Sequence, residues 1–110
     1  LTNTLYNWTE NGKITRERVA VGVAYGSDVK LVTKILLDIA DHHNAILKSP
    51  APNVLFQNFG ESSLDFEIVF SLKNSFKAVP IQSDIRFSIY DAFEKHNIEI
   101  PFPQRVVYSK

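Results

Sequence analysis

The sequence has no cysteine, no net charge and no apolar segment long enough to cross a bilayer. Without cysteine there is no disulfide, no thiol nucleophile and no zinc–thiolate site. Twelve basic and twelve acidic side chains cancel, whereas a general binder of nucleic acid or of anionic membranes carries an excess of Lys and Arg. The longest apolar run, residues 19–25, is far shorter than the roughly 20 residues that a membrane helix requires. These absences exclude thiol chemistry and a membrane-spanning helix within this sequence, and they argue against a general binder of nucleic acid or anionic membranes.

The composition that remains is that of one globular domain. The 110 residues are 45% hydrophobic and 22% charged, which is typical of a folded chain and not of a disordered or fibrous one. A domain of this size buries about two thirds of its unfolded surface and needs no covalent cross-link. Because the sequence begins at Leu1 without a methionine, we expect it to be a segment of a longer protein.

Hydrophobic periodicity predicts six elements. Period-two alternation predicts strands over residues 18–25, 54–59, 63–73 and 98–100. Apolar residues at helical spacing predict one helix capped by Ser27 and a second that begins around Pro80 and stops at Asn97. The order βαββαβ predicts an α+β, ferredoxin-like sandwich in which two helices cover one face of a four-stranded antiparallel sheet.

The two ends of the chain are interpreted separately from this domain. Residues 1–17 contain the tight-turn signal Asn11-Gly12 between extended segments, and we expect them to be the C-terminal hairpin of an upstream β domain. Residues 18–104 are the ferredoxin-like domain. Residues 105–110 are a tail whose pattern is again extended and partly apolar.

No group of side chains in the sequence predicts catalysis. Asp38, Asp41 and His42 share one helical turn, but a solvated polar surface is the favoured interpretation because no further metal ligand is indicated. The paired glycines at positions 22 and 26 lack the other residues of a phosphate-binding loop. No serine lies in the context of an activated nucleophile. We therefore expect no enzyme activity, no metal and no cofactor.

The sheet of this topology can bind RNA in other proteins, through aromatic and basic side chains on its open face. Here the clearest predicted strand places Asp65 and Glu67 on that face, and their charges would repel phosphate. We therefore expect no nucleic acid among the partners.

Apolar side chains outside the predicted core indicate a subunit interface. Phe87 projects opposite the predicted buried stripe of the second helix, and Tyr90 also lies off that stripe. Further apolar residues follow the last predicted strand, where a monomer has little left to cover them. The sequence leaves open that Phe87 folds onto its own surface. The candidate interface residues are Phe87, Tyr90, Phe102, Gln104, Val106 and Tyr108.

Five short segments carry a recognisable pattern through their order and spacing. They are NWT (7–9), VGVAYGSD (21–28), KSPAPNV (48–54), GESSLDF (60–66) and IEIPFPQ (98–104). Together they resemble the C-terminal part of the small-conductance mechanosensitive channel (MscS) family. Asn97 stands where that family has glycine before its I-x-I-P-F-P-Q ending.

The resemblance implies a non-catalytic part of a membrane channel. Cytosolic parts of family members assemble as seven subunits around a hollow vestibule, which ions and small osmolytes enter through lateral portals. Residues 1–17 would then close the preceding Sm-like β domain, and residues 105–110 would begin a strand of an oligomeric barrel. The resemblance also implies a bacterial inner-membrane protein with this segment on the cytoplasmic side, attached to the membrane through upstream helices alone.

The alternative function belongs to another class. A stand-alone ferredoxin-like regulatory domain would bind a small metabolite at a dimer interface. A metabolite that stabilises the chain against thermal unfolding would distinguish this alternative from a channel domain.

Overall fold

A computed structural model describes residues 13–101, apart from the side chain of Ser75, and has an α+β fold. A short 3₁₀ turn, Ser75–Lys77, leads directly into the second helix. The three strands form one antiparallel sheet in the order β1-β3-β2. In chain order the elements are β1 (Thr15–Val23), α1 (Val29–His42), β2 (Asn53–Phe59), β3 (Leu64–Leu72) and α2 (Ala78–Lys95).

Both helices cover the same face of the sheet. The core side of the central strand β3 carries Leu64, Phe66, Ile68, Phe70 and Leu72, all of them buried. These side chains form one cluster with the apolar stripes of the helices, which are Val32, Ile35, Leu36 and Ala40 on α1 and Ile81, Ile85, Ile89 and Phe93 on α2. On the opposite face of β3, Asp65 and Glu67 are half-buried but Val69 and Ser71 are buried, so the one-sided burial predicted from the alternation holds only for the first half of the strand.

The opposite face of β3 is polar where the strand begins. Arg18 of β1 forms an ion pair with Glu67 at 3.2 Å, and the amide of Gln57 donates a hydrogen bond to the same carboxylate at 2.7 Å. Further along, Ser71 is buried, and its hydroxyl accepts a hydrogen bond from the guanidinium of Arg16 at 2.7 Å. This face therefore carries an ion pair at Glu67, whereas Val69 and Ser71 further along it are buried.

The predicted fourth strand over residues 98–100 is not formed in the described part of the chain. Residues 98–101 have no regular secondary structure, and one backbone hydrogen bond, from Ala24 N–H to Glu99 C=O at 2.9 Å, connects them to the end of β1. Pro101 has no N–H with which to extend a ladder. Over residues 13–101 the sheet has three strands and the element order is βαββα.

The first strand begins earlier than the alternation predicted. β1 starts at Thr15, so the domain boundary expected after residue 17 falls inside this strand. Most of the expected hairpin of residues 1–17 lies outside the described residues. The tail of residues 105–110 also lies outside them.

Asp28 caps α1, and the prediction of Ser27 as the cap is wrong. The Asp28 carboxylate accepts a hydrogen bond from Leu31 N–H at 3.2 Å, whereas the Ser27 hydroxyl donates to the Ala24 carbonyl at 2.6 Å. A carboxylate suits this position because it meets an unpaired N–H at the positive end of the helix dipole. The second helix begins two residues before Pro80, which is tolerated because N–H groups of the first turn have no acceptor within the helix.

Asn97 ends α2, as predicted, in the left-handed conformation with φ of 57°. Ile98 N–H donates to Phe93 C=O at 2.9 Å and Asn97 N–H donates to Glu94 C=O at 3.3 Å. These two bonds define a Schellman motif, whose left-handed residue is usually glycine and sometimes asparagine. The left-handed backbone therefore explains why asparagine can stand where the resembling family has glycine.

Substitutions at Asn97 are expected to change stability according to backbone conformation alone. Asn97→Val places a β-branched residue at positive φ, and we expect a loss of about 1–3 kcal/mol in the free energy of unfolding. Asn97→Gly is expected to stay within about 1 kcal/mol of the parent chain. Urea unfolding of the 110-residue chain measures both. The control is His96→Val, where φ is −103° and valine fits; equal losses at positions 96 and 97 would contradict the explanation.

Gly60 lies between β2 and β3, where a side chain has no room. A Cβ atom there would be 2.9 Å from Asp65 Oδ2 and 3.0 Å from the Ser63 carbonyl oxygen. That carbonyl also accepts the Gly60 N–H hydrogen bond at 2.7 Å, so it cannot move away without opening the turn. We expect Gly60→Ala to lower stability by about 1–3 kcal/mol, measured by thermal unfolding. Glu61→Ala, an exposed neighbour in the same turn, should leave the unfolding temperature nearly unchanged.

Candidate functional site

Helix α2 carries apolar side chains on two opposite sides. One side is the buried stripe that completes the core. The other side contains exposed residues, which we call the α2 outer stripe: Phe76 (in the 3₁₀ turn), Val79, Phe87 and Tyr90. The helix of a monomer is normally polar on the side that faces solvent, so this second apolar side needs an explanation.

Helical geometry brings the outer stripe together. Val79, Phe87 and Tyr90 fall within about 80° of one another at 3.6 residues per turn. Phe87 is 75% exposed and Tyr90 is 62% exposed, so neither side chain folds back into the core. The four stripe residues together expose an area on the order of 500 Å², judged from the size of such side chains. Patches of this size on monomers are often functional.

The outer stripe continues to the free edge of β1. Arg86, Phe87 and Tyr90 line one shallow hollow together with Ser83. Arg86 and Tyr90 also line a second hollow, with Ile89, Ile100 and residues 20–22 of β1. The amide of Gln82 donates to the Arg18 carbonyl at 3.1 Å and ties α2 to this strand.

Two of the six predicted interface residues lie in the described part of the chain. Phe87 and Tyr90 are both exposed, as the helical projection predicted, and they share one surface. Phe102, Gln104, Val106 and Tyr108 lie outside residues 13–101. Val79 was not among the predicted interface residues because the helix was expected to begin at Pro80. Its distance of eight residues from Phe87 was the signal that could have identified it.

A second apolar surface, which was not predicted from the sequence, lies on β2 at the outer edge of the three-stranded sheet. Phe56 and Phe59 are 40% and 73% exposed. Their ring centroids are 5.0 Å apart, and Phe56 stacks on Phe66 of the core at 4.7 Å. We call this pair the β2-edge aromatics. A bulge at Gln57 shifts the register, so two phenylalanines three positions apart lie on the same side of the sheet.

The polar side chains near the end of α1 have partners of their own. Lys34 Nζ lies 3.3 Å from Asp38 Oδ2, and Lys48 Nζ lies 3.1 Å from Asp41 Oδ1. The Nδ1 atom of His42 is hydrogen-bonded to the Asp38 carbonyl at 2.8 Å. These contacts agree with the interpretation of Asp38, Asp41 and His42 as a solvated polar surface.

His43 connects the two helices. Its Nδ1 accepts a hydrogen bond from Ala45 N–H at 3.1 Å, which leaves the proton on Nε2. Nε2 lies 3.0 Å from Asp84 Oδ2 on α2 and donates to it. The side chain therefore links the end of α1 to α2.

Two of the resembling segments meet around the turn between β2 and β3. A Cβ atom on Gly22 would lie 3.1 Å from Ser63 Cβ and Oγ, so the glycine in β1 permits the close approach of the Ser63 side chain, which precedes β3. The Ser63 hydroxyl donates to Asp65 Oδ1 at 2.6 Å, and the Tyr25 hydroxyl donates to the Gly60 carbonyl. These residues stabilise the turn.

Two kinds of site are not found within residues 13–101. No three His, Asp or Glu side chains lie together in a way that could hold a metal ion. Neither α1 nor α2 combines the length and the hydropathy of a membrane-spanning helix.

One known protein family matches most of the chain. The family described as "Mechanosensitive ion channel MscS, C-terminal" matches residues 17–100. This range contains nearly all of β1, every later described element and the segment that follows α2.

Individual relatives and a solved structure are also named as MscS-family proteins or mechanosensitive channels. The chain is 36% identical over its full length to an uncharacterized MscS family protein of Haemophilus influenzae, of which it covers 10%. It is 43% identical over 68 residues, 62% of its length, to the mechanosensitive channel MscK of Escherichia coli, of which it covers 6%. The crystal structure of Helicobacter pylori MscS in the closed state aligns with a TM-score of 0.78 at 32% identity, over 91% of this chain and 40% of that one. The chain thus corresponds to a minor part of each.

Proposed function

The chain belongs to the MscS family of mechanosensitive ion channels, and from this premise we propose that it forms part of the wall of a cytosolic vestibule. In this role the domain is not catalytic. It joins copies of the chain in a homo-oligomer, expected to be a heptamer, and filters the ions and small osmolytes that reach the pore. The alternative of a stand-alone metabolite-binding domain is not favoured, because the relatives are named as channels.

The α2 outer stripe is the observation that carries this proposal. A wall needs contacts between subunits, and aromatic residues beside an arginine are enriched at the centre of such contacts. Phe87, Tyr90 and Arg86 form such a group on an exposed helix face. The four predicted residues beyond the described range, Phe102, Gln104, Val106 and Tyr108, are proposed to extend the same interface.

The proposal also covers the position of the domain relative to the membrane and to the rest of the full-length protein. We place this segment on the cytoplasmic side of a bacterial inner membrane, with upstream helices crossing the bilayer. A ferredoxin-like topology would have its fourth strand at the free edge of β1, where Ala24 already donates its backbone bond to Glu99. Residues 1–17 are proposed to complete an upstream β domain, and residues 105–110 to begin an oligomeric barrel.

The full-length protein is the right material for the test. Its native mass in detergent is expected to equal seven subunits. After reconstitution into liposomes, excised patches are expected to show currents that begin when membrane tension is raised. A monomeric mass, or the absence of such currents up to patch rupture, would contradict the proposal.

A further inference from the structure

We infer that the α2 outer stripe of one subunit packs against the β2-edge aromatics of the next, so that two unlike surfaces join successive copies of the chain. The inference rests on the proposed function, because it assumes that the protein assembles. It adds the identity of the surface that the outer stripe contacts. The occupant of each surface is a second copy of this chain.

The sheet order places the two surfaces at opposite ends of the domain. Helix α2 packs on β1, whereas α1 packs on β2 and β3. The outer stripe reaches the free edge of β1 through Tyr90, and Phe56 and Phe59 lie on the strand at the other edge of the sheet. A subunit that uses two different patches on opposite sides forms head-to-tail contacts, which give a ring when the rotation between successive copies closes and a filament when it does not. A two-fold dimer would use one patch twice.

The charges beside the two surfaces are complementary. Arg86 lies beside Phe87 and Tyr90 of the outer stripe, and Glu61 follows Phe59 of the β2-edge aromatics by two positions. Both are exposed, and within residues 13–101 neither has an ion-pair or hydrogen-bond partner. A head-to-tail contact would bring an unpaired guanidinium toward an unpaired carboxylate, and such pairs set the register of an interface.

The contact would also resolve a problem of the isolated domain. Within residues 13–101, no strand pairs with the outer edge of β2, which lies beside exposed aromatic rings. Edges of this kind promote aggregation unless they are covered. The outer stripe supplies an area on the order of 500 Å², against about 800 Å² per partner in a standard interface. The contact would therefore provide much of one subunit junction, with the remainder coming from other parts of the assembly.

Cysteine cross-linking of the full-length protein in membranes tests the inference. The 110 residues contain no cysteine, and any cysteine elsewhere in the protein is first replaced by serine. Phe59→Cys and Phe87→Cys are introduced into the same chain, and a short bis-maleimide is added. The expected product is a ladder of bands from dimer to the complete ring. Each single variant alone should remain monomeric on the gel.

The matched control pair combines Phe59→Cys with Ser88→Cys. Ser88 is exposed on α2 but lies outside the outer stripe, in a hollow lined by residues of α1, so its yield is expected to be at least about fivefold lower. A dimer from Phe87→Cys alone would show that two outer stripes meet, and it would overturn the inference. No ladder from a protein that keeps its oligomeric mass and its tension-activated currents would also overturn it, while the proposed function would stand. A monomeric mass before cross-linking would overturn both.

A charge exchange gives a second, independent measurement. Arg86→Glu and Glu61→Arg are each expected to lower the cross-linking yield about threefold, because each brings like charges together. The double exchange is expected to restore most of the yield. If the two losses simply add, the pairing of these surfaces is wrong.

Discussion

Phe70→Ala is expected to lower the free energy of unfolding by about 3–5 kcal/mol, the largest loss of stability that we predict. Phe70 lies on the central strand and is fully buried in the cluster that joins the sheet to both helices. Its removal leaves a cavity that the surrounding side chains cannot fill by relaxing. Because domains of this size have a total stability of about 5–15 kcal/mol, urea unfolding of the 110-residue chain should show a much lower midpoint.

Phe87→Ala is the matched control, since it removes the same side chain from an exposed position. At 75% exposure, Phe87 has few contacts within its own subunit, and we expect a change within about 0.5 kcal/mol. If Phe87→Ala costs as much as Phe70→Ala, the side chain packs on its own domain. The outer stripe would then lose its role in the proposed interface.

The second large effect is expected on assembly and not on folding. Phe87→Asp combined with Tyr90→Asp places two carboxylates where the proposed contact is apolar. Burying an unpaired charge is costly, and loss of a central aromatic residue typically costs 2 kcal/mol or more. Because two central aromatic residues are lost and two charges are added, we expect association of the full-length protein to weaken at least about a hundredfold. Native mass measured over a dilution series would detect this change.

Ser88→Asp is the control for that experiment. It adds a carboxylate on the same helix, one residue from Phe87 but outside the outer stripe, and it should leave the oligomeric mass unchanged. Both variants should keep the thermal unfolding of the parent domain. An intact oligomer in the double variant would contradict the proposed interface, as would equal disruption by Ser88→Asp.

Local sequence patterns were sufficient to predict whether most segments form a strand or a helix. The alternation of residues 63–73 predicted β3, because side chains of a strand point to opposite faces at every second residue. The spacing of apolar residues predicted both helices and the exposure of Phe87 and Tyr90. The family resemblance found in five short segments is confirmed by the match over residues 17–100.

Sequence patterns were insufficient where the chain could adopt more than one local conformation. Ser27 and Asp28 are both good helix caps, and the choice depends on the hydrogen bond between the Ser27 hydroxyl and the Ala24 carbonyl. The bulge at Gln57 is also invisible in the sequence, although it places Phe56 and Phe59 on one side of the sheet. Residues 98–100 alternate as a strand does, yet they meet β1 through a single backbone bond.

The sequence by itself determined the fold class, the helical sides and the family, because each depends on residues close together in the chain or on their order. Only the tertiary structure decided which apolar residues stay uncovered. Exposure depends on which elements lie above a residue, and that arrangement is set by contacts between distant parts of the chain. For this reason Phe87 could be predicted from its helix, whereas the β2-edge aromatics became evident only when the sheet order put β2 at an edge.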